Sequence, residues 1–203
     1  MKIGIMGGTF NPIHLGHLIL SEYIREGLNL DKIIFIPTGQ PPHKDNSKVI
    51  DALHRKAMTE LSIKDNPYFF LSNIELERKY KSYTIDTIKE LKEQYKDDTL
   101  IMIIGTDSLM SIESWKDSSE LLKQIDFIVA DRISREKEDT IKEIKRLNLK
   151  HSIEIKYLDI PLLEISSTEI RDRVRKNKSI KYLVKENVYK YILENNLYKE
   201  NLY

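Results

Sequence analysis

The 203-residue sequence contains no cysteine. That absence excludes disulfides, thiolate zinc sites and cysteine nucleophiles, and it suits a reducing compartment. An excess of one charge is missing too. Against 33 lysines and arginines stand 32 aspartates and glutamates, a formal net charge of +1, so no global field attracts a polyanion and any phosphate binding has to be local. Long hydrophobic runs are absent as well. Nothing approaches the roughly 20 apolar residues of a membrane span, and the opening run Met1 to Met6 is too short for a signal-peptide core, so a cytoplasmic protein without membrane contact is expected. No internal repeat, low-complexity tract or long linker divides the chain, which predicts one compact domain over 1–203 with a helical carboxyl-terminal segment over 168–203.

What is present is an alternation of short β-branched runs with longer amphipathic ones. Lys2 to Met6 reads as a strand, followed by a helix running to about Glu26 and closed by Gly27, then a strand from Lys32 to Ile36 and a helix from Ala52 to Ile63. Tyr68 to Ser72, Leu100 to Ile104, Phe127 to Ala130 and Ile153 to Tyr157 supply further strands. Between them lie helices at Thr84 to Tyr95, Asp117 to Gln124 and Thr140 to Leu147, with Asp117 and Glu120 in capping-box positions. From Thr168 to Tyr198 the pattern is helical. Nearly all-apolar strands separated by helices imply right-handed crossovers and a parallel sheet covered on both faces, a doubly wound α/β architecture. Ligands of such sheets sit at the carboxyl ends of the strands, where the loops after Met6, Ile36, Ile104 and Tyr157 converge.

Those loops hold the unusual residues. Gly7-Gly8-Thr9-Phe10-Asn11-Pro12-Ile13-His14-Leu15-Gly16-His17 follows the first strand and opens the first helix. Its glycines let backbone amides approach a phosphate, and the helix amino terminus adds partial positive charge. His14 and His17, three apart, share one face of the first turn and can direct two donors at one anion. The segment is neither a Walker loop nor the G-x-G-x-x-G of hydride-transfer enzymes. A zinc site built from this pair and His43 competes, weakened by the lack of an adjoining Asp or Glu; His54 and His151 have no such company and read as structural or surface residues.

Three other segments add chemistry. Pro37 to Lys44 is stiffened by prolines and offers His43 and Lys44 as cationic donors over the mouth of the sheet. In Ile165-Ser166-Ser167-Thr168-Glu169-Ile170-Arg171, Ser166 and Glu169 have capping-box spacing, leaving the Ser167 and Thr168 hydroxyls and Arg171 for a phosphate chain. Ser82-Tyr83-Thr84 opens a helix, Asp107 at a strand end is placed like a ribose-hydroxyl acceptor, and Trp115, the only tryptophan, can stack on a planar ring. Taken singly, each of these has a bland reading as a turn, a cap or core.

On these residues the chain closely resembles the bacterial nicotinate mononucleotide adenylyltransferases, within the nucleotidyltransferase superfamily related to class I aminoacyl-tRNA synthetases. The H-x-G-H signature at His14 to His17 and the I-S-S-T-E-I-R segment are superfamily marks. Pro37 to Lys44, Ser82-Tyr83-Thr84, Gly105-Thr106-Asp107 and Trp115-Lys116 look specific to the nicotinate branch. The resemblance implies a Rossmann-like nucleotidyltransferase fold and transfer of AMP from ATP to nicotinate mononucleotide, with magnesium arriving on ATP and no resident metal. It implies catalytic roles for His14, His17, Lys44 and Arg171. ATP contacts fall to Gly7, Gly8, Thr9, Phe10, Asp107, Ser167, Thr168 and Arg171, and mononucleotide contacts to His43, Lys44, Tyr83, Thr84 and Trp115. Small-molecule substrates are the expected partners, with no nucleic acid and room for a homodimer. One departure stands out: the family often has Arg-Pro-Gly after the strand ending at Ala130, whereas here Arg132 precedes Ile133 and Ser134, so no phosphate role is carried over to Arg132. Competing readings are a different acceptor (nicotinamide mononucleotide or phosphopantetheine), a catalytically silent nucleotide sensor, and an RNA-binding tail from Arg171 to Tyr198, whose lysines are interspersed with Glu186 and Glu194 as on a solvated helix.

Overall fold

The computed structural model describes residues 1–40, 49–132, 137–160 and 164–199. Strands β1 (Lys2–Gly8), β2 (Lys32–Pro37), β3 (Phe69–Leu71), β4 (Thr99–Ile104), β5 (Asp126–Arg132) and β6 (Ile155–Ile160) alternate with helices, as the periodicity predicts. The helices are α1 (Leu15–Gly27), α2 (Ala52–Ile63), α3 (Thr84–Gln94), α4 (Thr106–Ser111), α5 (Ser118–Gln124), α6 (Lys137–His151), α7 (Ser167–Arg175) and α8 (Glu186–Glu194). A single 3-10 turn, Ile112–Ser114, sits between α4 and α5.

All strand pairs are parallel, in the order β3-β2-β1-β4-β5-β6. The chain winds from β1 outward through β2 and β3, then returns to the other side of β1 with β4. The crevice at the carboxyl ends of β1 and β4 is therefore the topological switch point, where loops on the two sides part and leave room for a ligand.

Period-two alternation assigns each strand's side chains to two cores. In β4, Ile101 and Ile103 face the core shared with α1, α2, α7 and α8, whereas Leu100, Met102 and Ile104 face the core shared with α3, α5 and α6. The largest of these side chains, such as Phe35 and Phe127, are fully buried, each contributing roughly 1.5–3 kcal/mol of burial energy.

Three local expectations are corrected. The first helix is closed by Asn29 and not by Gly27: Asn29 takes a left-handed φ of 50° while the Leu30 amide reaches back to the Arg25 carbonyl at 2.8 Å. Asn is the side chain that best tolerates that conformation after glycine, and none of the chain's glycines has a positive φ. The capping box at Asp117 does not form: Asp117 is itself left-handed (φ 51°, ψ 38°), outside the extended region a capping residue normally takes, and its side chain makes no capping hydrogen bond. Glu120 pairs with Lys89 at 2.9 Å instead. The helical stretch from Thr168 to Tyr198 is broken in two by another left-handed asparagine, Asn177, where the Lys178 amide bonds to the Arg173 carbonyl at 2.7 Å.

Candidate active site

The loop after β1 carries the histidines, and its backbone decides where they point. His14 is the residue that caps α1, is 6% exposed, and has extended backbone dihedrals. Its amide donates to Nδ1 of His17 at 3.2 Å, so that nitrogen is an acceptor and the proton of a neutral His17 ring resides on Nε2. The two rings are in close tilted contact, with centroids 3.7 Å apart and 35° between planes, and Phe10 meets His17 edge-on at 5.2 Å. Stacking of this kind keeps both imidazoles on one side of the helix end, where the dipole favours an anion.

Two cavities adjoin at the switch point. One, of about 350 Å³, is lined by His14, His17, Gly105, Ser166 and Ser167. The other, of about 250 Å³, is lined by Gly8, Thr9, Ser82, Tyr83, Thr84 and Lys116. Gly7, Met102, Ser108 and Trp115 belong to both walls, so the cavities are two halves of one crevice with the indole between them. The second half lies against the amino terminus of α3, which no side chain caps. Lys116 stands beside it, its Nζ 3.3 Å from Asp86 and 4.7 Å from the Tyr83 ring centroid.

Two buried ionisable side chains lie close to this half. Glu75 is 8% exposed and accepts from the Thr87 hydroxyl at 2.8 Å; burial pushes its carboxyl above the usual carboxylate range, against the opposing pull of that hydrogen bond and of Arg78. Gly39, in the loop after β2, comes so close that a β-carbon there would lie 2.2 Å from the Glu75 carbonyl oxygen, so only glycine fits. Arg55 is 1% exposed and donates to the carbonyls of Thr9 at 2.8 Å, Gly39 at 3.1 Å and Ile50 at 3.2 Å.

A crevice with a phosphate-favouring helix end on each side of a shared aromatic suits two joined nucleotides. A cytidylyltransferase-like family model matches residues 5–173. The chain belongs to that family. Within it, a "Probable nicotinate-nucleotide adenylyltransferase" of Thermoanaerobacter sp. (strain X514) is 45% identical over 189 residues, covering 93% of this chain and 90% of the relative. Another so named, from Exiguobacterium sibiricum, is 43% identical over 188 residues, covering 93% of this chain and 94% of the relative. These relatives place the chain among the nicotinate-nucleotide adenylyltransferases. A solved Plasmodium falciparum nicotinic acid mononucleotide adenylyltransferase complexed with NaAD superposes with a TM-score of 0.80 at 25% identity, covering 100% of this chain and 99% of that one.

In this chain the residues singled out in the sequence divide into groups. Gly7, Gly8, Thr9, His14, His17, Tyr83, Thr84, Trp115 and Ser167 line the crevice. Phe10 lies behind it, 3% exposed with a φ of 48°, packed on His17 and Phe35. Asp107 and Thr168 are exposed on the first turns of α4 and α7. Arg171 reaches the histidine loop from behind: its Nη1 donates to the Asn11 carbonyl at 2.8 Å and its Nη2 to the Thr168 hydroxyl at 3.2 Å. Ser166 caps α7 by accepting from the Glu169 amide at 3.1 Å, as its spacing predicts. His43 and Lys44, and the loop after Arg132, lie outside the described residues. His54 pairs with the Tyr191 hydroxyl at 2.9 Å and His151 with Glu113 at 3.2 Å, both away from the crevice. Among the described residues no group of three His, Cys, Asp or Glu converges as a metal site.

Sequence reading missed Arg55 and Glu75. Arg55 had a signal: with Met58, Thr59, Ser62 and Ile63 it forms the i, i+3, i+4, i+7, i+8 stripe that α2 buries, and an arginine on such a stripe needs acceptors. Glu75 lies where no such pattern marks it.

Proposed function

We propose that this protein transfers the AMP moiety of ATP to the phosphate of nicotinate mononucleotide, forming nicotinate adenine dinucleotide and releasing pyrophosphate. The observation that carries the reading is the two-part crevice, with the histidine pair in one half and the uncapped α3 terminus in the other, meeting at Trp115. ATP belongs in the half bounded by His14, His17 and Ser167, and the mononucleotide in the half bounded by Tyr83 and Thr84.

A mononucleotide phosphate oxygen forms a bond to the α-phosphorus, and the bond from that phosphorus to the oxygen bridging the α- and β-phosphates breaks. The attacking phosphate is already anionic near neutral pH, its second pKa being about 6, so no general base is required. What the site supplies is alignment of two polyanions and hydrogen-bond donors for charge that moves onto the leaving oxygens. His17, with Nδ1 occupied by the α1 cap, offers Nε2 for that role, and His14 stacks beside it. Lys44 and His43 are assigned to the phosphates, and Asp107 to a ribose hydroxyl. Magnesium enters as the ATP complex, a hard cation held by phosphate oxygens and water.

The test is product analysis with magnesium-ATP and a panel of acceptors. Nicotinate adenine dinucleotide is expected as the fastest-formed product. Faster adenylylation of phosphopantetheine or of nicotinamide mononucleotide reassigns the acceptor, and binding of ATP without turnover makes the protein a sensor.

A further inference from the structure

The loop from Thr9 to Pro12 is held by donors that come from far along the chain. Arg55 takes the Thr9 carbonyl at 2.8 Å, Arg171 the Asn11 carbonyl at 2.8 Å, and the Ser167 hydroxyl the Pro12 carbonyl at 2.8 Å. The fourth donor is the most distant: the Tyr198 hydroxyl, 187 residues away, donates to Asn11 Oδ1 at 3.0 Å in a buried hydrogen bond. We propose that Tyr198 is a positioning residue for His14 and His17, making the geometry of the phosphate site depend on the carboxyl-terminal segment through the hydrogen bond to Asn11.

Several observations support this role. After α8 the chain turns at Asn196 (φ 51°), the Leu197 amide bonds to the Ile192 carbonyl at 3.0 Å, and Tyr198 itself adopts a φ of 63°. A bulky side chain rarely takes that conformation, and a structure holds one there only when surrounding contacts compensate. The compensation here is burial of the ring, 9% exposed, and the hydrogen bond at its tip. Burial also pushes the phenol well above its ordinary range, against Arg171 and Arg55 nearby, so it remains a donor. Asn11 is two peptide bonds before Ile13, which is fully buried and leads into His14. The start of α1, just after the loop, is also tied to the carboxyl-terminal part, where the Leu15 amide donates to the Leu183 carbonyl at 2.9 Å. A hydroxyl that only stabilised the fold would be replaceable without loss of turnover; one that sets the register of the loop is not.

The inference rests on the adenylyl-transfer reading, and its test separates the two. Tyr198→Phe keeps the ring and removes the donor. Well below its melting temperature it is expected to lose kcat on the order of tenfold, with KM for ATP and for nicotinate mononucleotide changed by no more than about twofold. Tyr191→Phe is the control: it removes a hydroxyl from the same segment, bonded to His54 and away from the crevice, and should leave kcat at the wild-type level. Asn11→Ala removes the same bond from the loop side and keeps the proposal testable if Tyr198→Phe does not fold; where both variants fold, the double variant should be no slower than Asn11→Ala alone. The histidine ring nitrogen resonances give a readout without turnover, and in Tyr198→Phe those of His14 and His17 should shift while that of His151 stays. Wild-type protein without transfer activity overturns the function. Unchanged kcat and unchanged His14 and His17 resonances in Tyr198→Phe, an equal loss in Tyr191→Phe, or losses that multiply in the double variant overturn the role of Tyr198.

Discussion

A histidine that spends one ring nitrogen on its own helix has only the other to offer a substrate. In His17 the nitrogen so used is Nδ1, which accepts from the His14 amide at 3.2 Å, so on the proposed mechanism Nε2 is the donor. Replacing His14 or His17 by Ala is expected to lower kcat by on the order of a hundredfold, with a smaller change in KM, as for loss of a donor used mainly in the transition state; steady-state kinetics check this. Glu75 gives a prediction of a different kind. Its carboxyl is raised by burial, so the folded protein favours the protonated form. The contribution of that form to stability is complete below the unfolded pKa of about 4.3 and is lost as pH climbs through the raised folded value. The stability of wild type relative to Glu75→Gln should therefore fall as pH rises, measured by urea unfolding at several pH values. A constant difference would show that the carboxyl titrates alike in both states. The histidines were legible in the sequence because their spacing repeats a helical turn. Glu75 was not, because only the approach of Gly39 and α3 buries it.

Among the elements, α3 is the one that, on the proposed function, would select the mononucleotide. Its first-turn amides are donors only, no side chain caps them, and its dipole favours negative charge. A carboxylate satisfies such a terminus, whereas a carboxamide can turn only its oxygen to it and leaves its own donors to be matched elsewhere, a difference of roughly 1–3 kcal/mol. Nicotinate mononucleotide should therefore be preferred over nicotinamide mononucleotide by about ten- to a hundredfold in kcat/KM. On the proposed function, in which the indole holds the pyridine ring against α3, Trp115→Ala should raise KM for the mononucleotide and leave KM for ATP nearly unchanged. The 3-10 turn that carries Trp115 is anchored by Glu113 to Arg146 at 2.6 Å and Lys150 at 2.7 Å on α6, and these cations with His151 hold the Glu113 carboxyl down to about 2. The helix start at Thr84 was readable in the sequence. Its meeting with Trp115 across the crevice was not.

At the scale of the molecule, the chain is near-neutral, with a formal net charge of +1, so the proposed phosphate site at the switch point has to act through local donors. Acidic and basic side chains also meet along the surface: even the basic tail that could have read as an RNA contact has Arg175 on Asp172 at 2.7 Å and Lys190 on Glu186 at 3.8 Å. The metal question also belongs here. The zinc reading needs His43 beside His14 and His17, and the phosphate reading needs only magnesium brought by ATP. Protein stripped of transition metals should regain full activity with magnesium alone; recovery only on adding zinc would replace the phosphate assignment with a metal site.

The sequence by itself determined the alternation of strands and helices, the parallel sheet and the composition of both loops that flank the switch point, because these follow from local periodicity and from residue types with narrow chemistry. It misplaced details governed by a single backbone dihedral, at Asn29, Asp117 and Asn177, where an Asn or Asp entered the left-handed region in place of a glycine or a cap. Only the tertiary structure decided what stands behind the loops. Arg55, Arg171 and Tyr198 reach the histidine segment across 46, 160 and 187 residues of chain. No periodicity links positions so far apart; packing against a shared sheet does.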